Sequence, residues 1–113
     1  MIVLKSRTHH NNDFLIYSMI TLISSSQQHL ELSGDLSFSN FFVETSRLKS
    51  QLSPIVDSID LSGLRVKDST GVCFVLFLMR NVRRRVMFHG MSSSLKSLIA
   101  LYGLEEFITQ ASE

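Results

Sequence analysis

The sequence is poor in the residues that mark several classes of protein. Its 113 residues include no tryptophan, one proline and one cysteine, Cys73. A single cysteine excludes an internal disulfide framework and a cysteine-based zinc cluster, and it fits a reducing compartment. The longest uninterrupted apolar run, Val72–Met79, has eight residues, whereas a membrane-spanning helix needs about 20. The sequence therefore predicts a chain that does not cross a bilayer.

An excess of charge of one sign is also lacking. Eleven Lys and Arg residues stand against ten Asp and Glu residues, which gives a net charge of +1. This balance provides no general attraction to nucleic acid or to anionic lipid. The apolar fraction of 44% is high enough for a hydrophobic core, and the length is that of one domain.

The N-terminal residues have neither helical nor strand periodicity. They also lack the apolar h-region and the small-residue cleavage site of a signal peptide. Residues 1–18 are therefore interpreted as a flexible or doubtful extension, and residues 19–113 as the single domain.

From Met19 onward, strand and helix patterns alternate. The β-branched run Met19–Ile23 and the alternating run His29–Ser33 predict an opening hairpin, because a short polar loop separates them. The order of patterns that follows predicts an α/β fold with a largely parallel sheet. Helices are predicted at about 40–52, from Val72 to Val82 and from about 95 to 102, and strands at 55–61, 83–89 and 104–108.

Local signals at the helix ends support these assignments. Ser37 and Ser39 are candidate N-caps for the first helix, and the serines at 92–94 are candidates for the last. Gly103 suits the C′ position of the last helix. Tyr102 continues its predicted buried face, and Cys73 is predicted to be a small core residue.

Motifs for catalysis and for cofactor or metal binding are absent. The sequence has no G-x-S-x-G elbow, P-loop, G-x-G-x-x-G, H-E-x-x-H or C-x-x-C pattern. The four histidines, His9, His10, His29 and His89, are interpreted as ordinary solvated or hydrogen-bonded residues. The sequence therefore predicts a protein that is not an enzyme and that needs no cofactor or metal.

The densest cluster of charge consists of Arg80, Arg83, Arg84 and Arg85. Its simplest interpretation is a solvated helix end that leads into the next strand. The alternative is contact with an acidic surface of a partner. Nucleic acid ranks below both, because no aromatic residues are interleaved with the arginines.

Asp68, Ser69, Thr70 and Gly71 stand at the predicted start of the second helix. A helix N-terminus has free backbone N–H groups and a partial positive charge, which favour an anion. A phosphate on Ser69 would add about two negative charges to a surface that already carries Asp68, and a docked partner would sense them. The simpler interpretation of the four residues is plain helix capping.

Three segments resemble, in the correct order, motifs of the STAS domain family, which sulfate transporters and anti-sigma factor antagonists share. Residues 59–72, IDLSGLRVKDSTGV, resemble its signature, in which a D-L-S strand leads through a short loop to D-S-[ST]-G at the start of a helix. Residues 30–36, LELSGDL, are similar to its earlier L-x-L-x-G-x-L strand. Residues 98–104, LIALYGL, are similar to its closing helix and Gly-Leu exit.

The resemblance implies a STAS fold, a mixed and mostly parallel sheet of about four to five strands with helices packed mainly on one side. It also implies a protein-interaction module that is not an enzyme. Docking would involve the loop and helix that carry Asp68, Ser69, Thr70 and Gly71. In the anti-sigma factor antagonists, a partner kinase phosphorylates the first hydroxyl residue after the aspartate, which corresponds here to Ser69.

Within the family, the compact length and the ending LIALYGL are most similar to MlaB-type subunits. These are small cytoplasmic STAS subunits of the phospholipid ABC transporter that maintains outer-membrane lipid asymmetry. The implied partner is the ATPase subunit of that transporter. Association with the inner membrane would then occur only through the complex.

The motif around Ser69 keeps a second function open. The MlaB-type motif is D-T-G-G, whereas this chain has D-S-T-G, which is closer to the phosphorylated antagonists. The alternative is therefore an anti-sigma factor antagonist that is switched by phosphorylation of Ser69, with an anti-sigma factor kinase as its partner. Both functions predict a cytoplasmic protein without a nucleic-acid partner.

Overall fold

The computed structural model describes residues 2–9, 15–66, 68–82 and 85–110. Strands and helices alternate along most of this length, as the sequence predicts. The elements are β1 (Ile2–His9), β2 (Leu15–Ser24), β3 (His29–Asp35), α1 (Phe41–Lys49), β4 (Ser58–Arg65), α2 (Thr70–Asn81), β5 (Met87–His89), α3 (Ser93–Leu101), a 3-10 turn (Glu105–Phe107) and β6 (Thr109–Gln110).

The strands of the described residues form one sheet in the order β1-β2-β3-β4-β5-β6. The pairs β1–β2 and β2–β3 are antiparallel, whereas β3, β4, β5 and β6 are parallel. Because crossovers between parallel strands are right-handed and each crossover here moves one strand in the same direction, α1, α2 and α3 lie on one face. The predicted α/β class and mixed, mostly parallel sheet are confirmed.

The hydrophobic core lies between this face of the sheet and the helices. Alternate residues of β3 and β4 point toward it, as the period of two in a strand requires. Leu30, Leu32, Ile59 and Leu61 are all buried. The helices contribute buried residues to the same cluster, among them Leu48, Phe74, Leu78 and Ile99.

The N-terminal segment differs from the expectation. The sequence pattern predicts no strand in residues 1–18, yet β1 covers Ile2–His9 and β2 already begins at Leu15. β2 therefore crosses the boundary placed at residue 19, because pairing of its first residues with β1 overrides the weak local pattern. Residues 10–14 lie outside the described residues, and the division into extension and domain stays a prediction.

The hairpin predicted from Met19 to Ser33 is confirmed by the antiparallel pairing of β2 with β3. The first helix, however, is shorter than predicted and begins after Asn40, so neither Ser37 nor Ser39 is its N-cap residue. Asn40 instead accepts a hydrogen bond from the Ser37 N–H at 2.8 Å and donates one to the Asp35 carbonyl at 2.9 Å. These contacts fold the loop that follows β3.

The last helix follows its sequence signals closely. The Ser92 side chain accepts a hydrogen bond from the Leu95 N–H, which confirms the predicted cap. At the other end, Gly103 has a φ of 70°, and its N–H and that of Leu104 bond to the carbonyls of Ala100 and Ile99. This is the Schellman arrangement that ends a helix at glycine.

Two predicted strands change their bounds. The strand expected at 55–61 is β4, which begins three residues later and continues to Arg65. The strand expected at 83–89 is reduced to Met87–His89, while residues 83 and 84 lie outside the described residues. The strand predicted at 104–108 is wrong, because Glu105–Phe107 form a 3-10 turn and the strand β6 is the following pair, Thr109–Gln110.

Candidate functional site

The four residues singled out by the sequence lie where β4 ends and α2 begins. Asp68 is exposed, Ser69 is half-buried, and Thr70 and Gly71 are buried. Because β3, β4 and β5 are parallel, this loop lies at the carboxyl edge of the sheet. Open α/β sheets commonly present their binding residues at that edge.

Asp68 fixes the first turn of α2. Its Oδ1 accepts a hydrogen bond from the Thr70 N–H at 2.9 Å. Hydrogen bonds from the hydroxyl and the N–H of Thr70 hold the pKa of the Asp68 carboxyl below its ordinary value. The carboxylate is therefore ionised at neutral pH, and it places a negative charge where the helix dipole favours one.

Ser69 is the N-cap residue by position, but its side chain makes a different contact. Its Oγ lies 2.7 Å from Oη of Tyr102, at the end of α3. Its carbonyl oxygen accepts hydrogen bonds from the N–H groups of Val72 and Cys73. The structure thus assigns the capping of the first turn to the Asp68 carboxylate, and it uses the Ser69 hydroxyl to join α2 to α3.

Gly71 allows this close approach of the two helices. A Cβ atom at Gly71 would lie 2.8 Å from Cγ1 of Val66 and 3.0 Å from Cδ1 of Leu95 on α3. Both distances are shorter than ordinary carbon contacts. The absence of a side chain at this position therefore lets α3 pack against the first turn of α2, which brings Tyr102 within reach of Ser69.

An apolar groove of about 260 Å³ lies beside Ser69. On one side it is lined by aromatic residues at the start of α1, and on the other by the first turns of α2. Phe38 and Phe42 remain 77% and 70% exposed. The lining residues are Phe38, Phe41, Phe42, Ser69, Thr70 and Cys73.

Cys73 was expected in the core, but it is exposed. It lies four residues after Ser69, so both occupy the same side of α2. The uniform apolar run Val72–Met79 gave no signal of this orientation. The aromatic wall of the groove was also missed, although the sequence F-x-x-F-F at residues 38–42 is its signal.

Asp68 also lines a second groove, whose other lining residues are Asp35, Leu36, Ser37, Arg65 and Val66. Asp35 and Arg65, at the ends of β3 and β4, form an ion pair of 2.5 Å across it. Both side chains are largely exposed, so the pair contributes little to stability. Ser69 is thus flanked by an apolar surface toward α1, while Asp68 borders a charged one.

Comparisons with known proteins give matches among solved structures alone. No family model and no curated protein sequence matches the chain. The anti-sigma factor antagonist SpoIIAA in its unphosphorylated form matches 83% of this chain and 89% of its own, with a TM-score of 0.61 and 20% identity. The Bacillus cell fate determinant SpoIIAA in its phosphorylated form matches 83% of this chain and 92% of its own, with a TM-score of 0.53 and 21% identity.

The chain has the fold of SpoIIAA. The match covers the greater part of both chains, which excludes a likeness confined to one supersecondary unit. This confirms the STAS fold that the three motifs imply. The shared fold by itself assigns no partner or activity.

In this SpoIIAA fold, two of the histidines lie on the sheet face that the helices leave open. His29 Nδ1 lies 2.5 Å from Ser58 Oγ, and the ring centroids of His29 and His89 are 6.2 Å apart. His9 ends β1, and His10 lies outside the described residues. Within the described ranges, no group of three or more His, Cys, Asp or Glu residues is arranged to hold a metal ion.

The arginine cluster is described only in part. Arg80, in the last turn of α2, is exposed, and so is Arg85. Arg83 and Arg84 lie outside the described residues, so contact with an acidic partner stays a prediction. In the described part of the chain, no helix is both long enough and apolar enough to span a membrane.

Proposed function

We propose that this protein is a non-catalytic interaction module of the anti-sigma factor antagonist type. Its partner docks over Ser69 and the adjacent apolar groove, and phosphorylation of Ser69 switches the binding off. One observation carries the proposal: the Ser69 hydroxyl lies at the accessible start of α2, beside a groove whose aromatic wall is left exposed. The likeness to SpoIIAA, solved with and without phosphate, supports it.

The groove has the character of a docking surface. Phe38 and Phe42 are among the most exposed large apolar side chains of the described residues. Leu101 and Tyr102, at the end of α3, are 76% and 52% exposed, and Tyr102 extends the exposed surface beyond Ser69, which its hydroxyl contacts. Exposed aromatic clusters of this kind are typical of interaction sites, and aromatic side chains carry much of the binding energy at interfaces.

A phosphate on Ser69 would change this surface strongly. It would add about two negative charges next to the ionised Asp68 carboxylate. The start of α2 tolerates such a group in the free protein, because the helix dipole favours an anion there. A docked partner would have to bury the new charge, and an unpaired buried charge costs several kcal/mol. The phosphorylated module would therefore be free, and the unphosphorylated module would bind its partner.

The proposed partner is an anti-sigma factor that is also a kinase of the small histidine-kinase-like ATPase type, which would both bind the module and phosphorylate Ser69. The module itself supplies the acceptor hydroxyl and the docking surface, and no catalytic group. We further propose that it acts in the cytoplasm and contacts no nucleic acid.

A constitutive MlaB-type transporter subunit is the second candidate. The two reported structures do not support it, but the extent of exposed apolar surface at Phe38, Phe42, Leu101 and Tyr102 favours it, since a permanent interface would bury all four. In that role the module would bind an ABC-transporter ATPase over the same corner. Any membrane association would occur through the partner.

The test is affinity capture from the protein's own cells, with mass spectrometry of the partners and of the bait. Baits are the wild-type chain, Ser69→Ala and Ser69→Asp. Ser25→Asp is the control, because Ser25 is an exposed serine in the β2–β3 turn, at the opposite edge of the sheet. Purified partner is then titrated against each bait.

The proposed function predicts a small histidine-kinase-like ATPase on the wild-type and Ser69→Ala baits and phosphate on Ser69 of the wild type. It also predicts no capture by Ser69→Asp and normal capture by Ser25→Asp. An ABC-type ATPase with its permease, together with unmodified Ser69, would establish the transporter subunit instead. Turnover of simple ester or phosphate substrates that disappears in Ser69→Ala would show an enzyme.

A further inference from the structure

The contact between Ser69 and Tyr102 joins a hydroxyl on α2 to an exposed phenol on α3. The two oxygen atoms lie 2.7 Å apart, and the residues are 33 positions apart in the chain. The prediction that Tyr102 lies on the buried face of the last helix is wrong, because Tyr102 is 52% exposed and its ring is not held by the core. The position of the ring is set by the helix end, where Tyr102 is the C-cap residue and Gly103 turns the chain away.

We propose that Tyr102 is a positioning residue for Ser69. Its phenol holds the Ser69 hydroxyl against α3 in the free protein, and this contact has to break before the hydroxyl accepts a phosphoryl group. The inference rests on the proposed function, because it describes how the acceptor of that function is controlled. Tyr102 thereby slows the phosphorylation of Ser69. Once Ser69 is phosphorylated, the Tyr102 ring changes its position at the exposed end of α3.

The chemistry of the transfer explains the restraint. Ser69 Oγ forms a bond to the terminal phosphorus of ATP bound to the kinase, the bond from that phosphorus to the bridging oxygen breaks, and ADP leaves. The Oγ proton passes to a base of the kinase. A serine hydroxyl has one proton and two lone pairs. If the Ser69 hydroxyl donates this hydrogen bond to Tyr102, its proton is not available to the base, and if Tyr102 donates it, one lone pair of the nucleophile is occupied.

The product state requires a movement of the phenol. Once Oγ is part of a phosphate ester it has no proton, and the phosphoryl group needs space around the atom that Tyr102 Oη approaches to 2.7 Å. Because the ring is half exposed, it has room to turn toward solvent. The exposed surface of Leu101 and Tyr102 then differs between the two states, close to the groove where the partner docks.

The contact can be tested without a kinase, because the chain has two tyrosines and no tryptophan. In a Tyr17→Phe background, Tyr102 is the only source of tyrosine fluorescence. We expect Ser69→Ala and Ser69→Asp, which both lack the serine hydroxyl, to change the lifetime of Tyr102 and to raise its quenching constant with acrylamide, a neutral quencher that the added carboxylate does not repel. Ser25→Ala in the same background is the matched control and should leave both unchanged. Identical quenching in the Ser69 variants would overturn the proposal.

The restraint is tested by kinetics with the kinase identified by affinity capture. Tyr102→Phe keeps the ring and removes the hydrogen bond, and Tyr17→Phe is its matched control. Breaking one hydrogen bond should raise kcat for phosphorylation of Ser69 about threefold to tenfold, with KM unchanged because the docking surface is kept. A merely structural role would lower the unfolding temperature without raising kcat.

The outcomes separate the two proposals. If Tyr102→Phe is phosphorylated no faster than the wild type, the restraint is wrong while the proposed function stands. If Ser69 receives no phosphate in any variant, the proposed function is wrong, and the fluorescence of Tyr102 alone decides whether it holds Ser69.

Discussion

The Glu44 carboxylate on α1 accepts a hydrogen bond from the backbone N–H of Ile20 on β2, at 3.2 Å. Arg47 completes the contact, because its Nη2 donates to Glu44 Oε1 at 3.0 Å and to the Ile20 carbonyl at 3.1 Å. Ile20 lies where the pairing of β2 with β1 is interrupted, between the partners of Lys5 and Arg7. The two side chains of α1 thus replace the hydrogen bonds that the neighbouring strand does not supply at this position.

This contact predicts a large loss of stability on Glu44→Ala. Glu44 is fully buried, so its removal leaves the Ile20 N–H without this acceptor and Arg47 without its ion-pair partner. We expect the free energy of unfolding to fall by about 3 kcal/mol, measured by urea denaturation. Glu44→Gln keeps an acceptor and should cost about 1 kcal/mol. Glu106→Ala, at an exposed position, is the control, and an equal loss there would contradict the assignment.

Alanine substitution at two glycines with nearly the same φ angle should lower the free energy of unfolding by different amounts. Gly90 and Gly103 have φ values of 69° and 70°. A Cβ at Gly90 would lie 2.6 Å from Cβ of Ser62, whereas nothing lies within 4 Å of one at Gly103. Gly103→Ala should cost about 1 kcal/mol for the left-handed backbone alone. Gly90→Ala should cost about 3 kcal/mol because crowding is added. If Gly90→Ala and Gly103→Ala had equal midpoints of chemical unfolding, crowding at Gly90 would be refuted.

The lowered pKa of Asp68 predicts a pH dependence of stability. The folded-state pKa of Asp68 lies below the unfolded-state value of about 3.9. The stabilisation that its ionised carboxylate gives the folded state is therefore complete above the unfolded pKa. It is lost as the pH falls through the folded-state pKa. Thr70→Val removes the hydroxyl donor, so the Asp68 pKa should rise toward its ordinary value in a carboxyl NMR titration. An unchanged titration midpoint would show that the Thr70 hydroxyl does not set this pKa.

Substitutions in the aromatic wall of the groove should weaken partner binding and leave the free energy of unfolding nearly unchanged. Phe38→Ala combined with Phe42→Ala should weaken partner binding at least about tenfold, because exposed aromatic residues act as interface anchors. The free energy of unfolding should change by less than about 1 kcal/mol, since both rings are largely exposed. Phe107→Ala is the matched control, because Phe107 is 62% exposed outside the groove.

Cys73 gives an independent check of the same surface. It lines the groove and is exposed, so a maleimide should label it in the folded protein. Bound partner should slow that labelling. If the double phenylalanine variant binds normally and the partner gives no protection, the groove is not the docking surface.

Local sequence signals predicted the elements with strong periodicity or well-defined ends. The Ser92 cap and the Gly103 exit were correct because the interactions involved lie within a few residues of one another. The start of α1 was misplaced because Asn40, and neither Ser37 nor Ser39, connects the loop to the end of β3. β1 was missed because its residues have no strand periodicity, and the strand depends on its pairing with β2 more than on its own residues.

The sequence by itself determined the α/β class and the order of most elements, and it singled out Asp68, Ser69, Thr70 and Gly71 as the candidate site, because each of these depends on periodicity or on a contiguous motif. Only the tertiary structure decided that Cys73 faces outward and that Phe38 and Phe42 form a groove with it. It also decided that the hydroxyls of Tyr102 and Ser69 form a hydrogen bond. In a run that is apolar on every side, periodicity does not indicate which face is buried. That choice is made by the sheet and the neighbouring helices, which bury the other sides of α2 and leave the side next to Ser69 open.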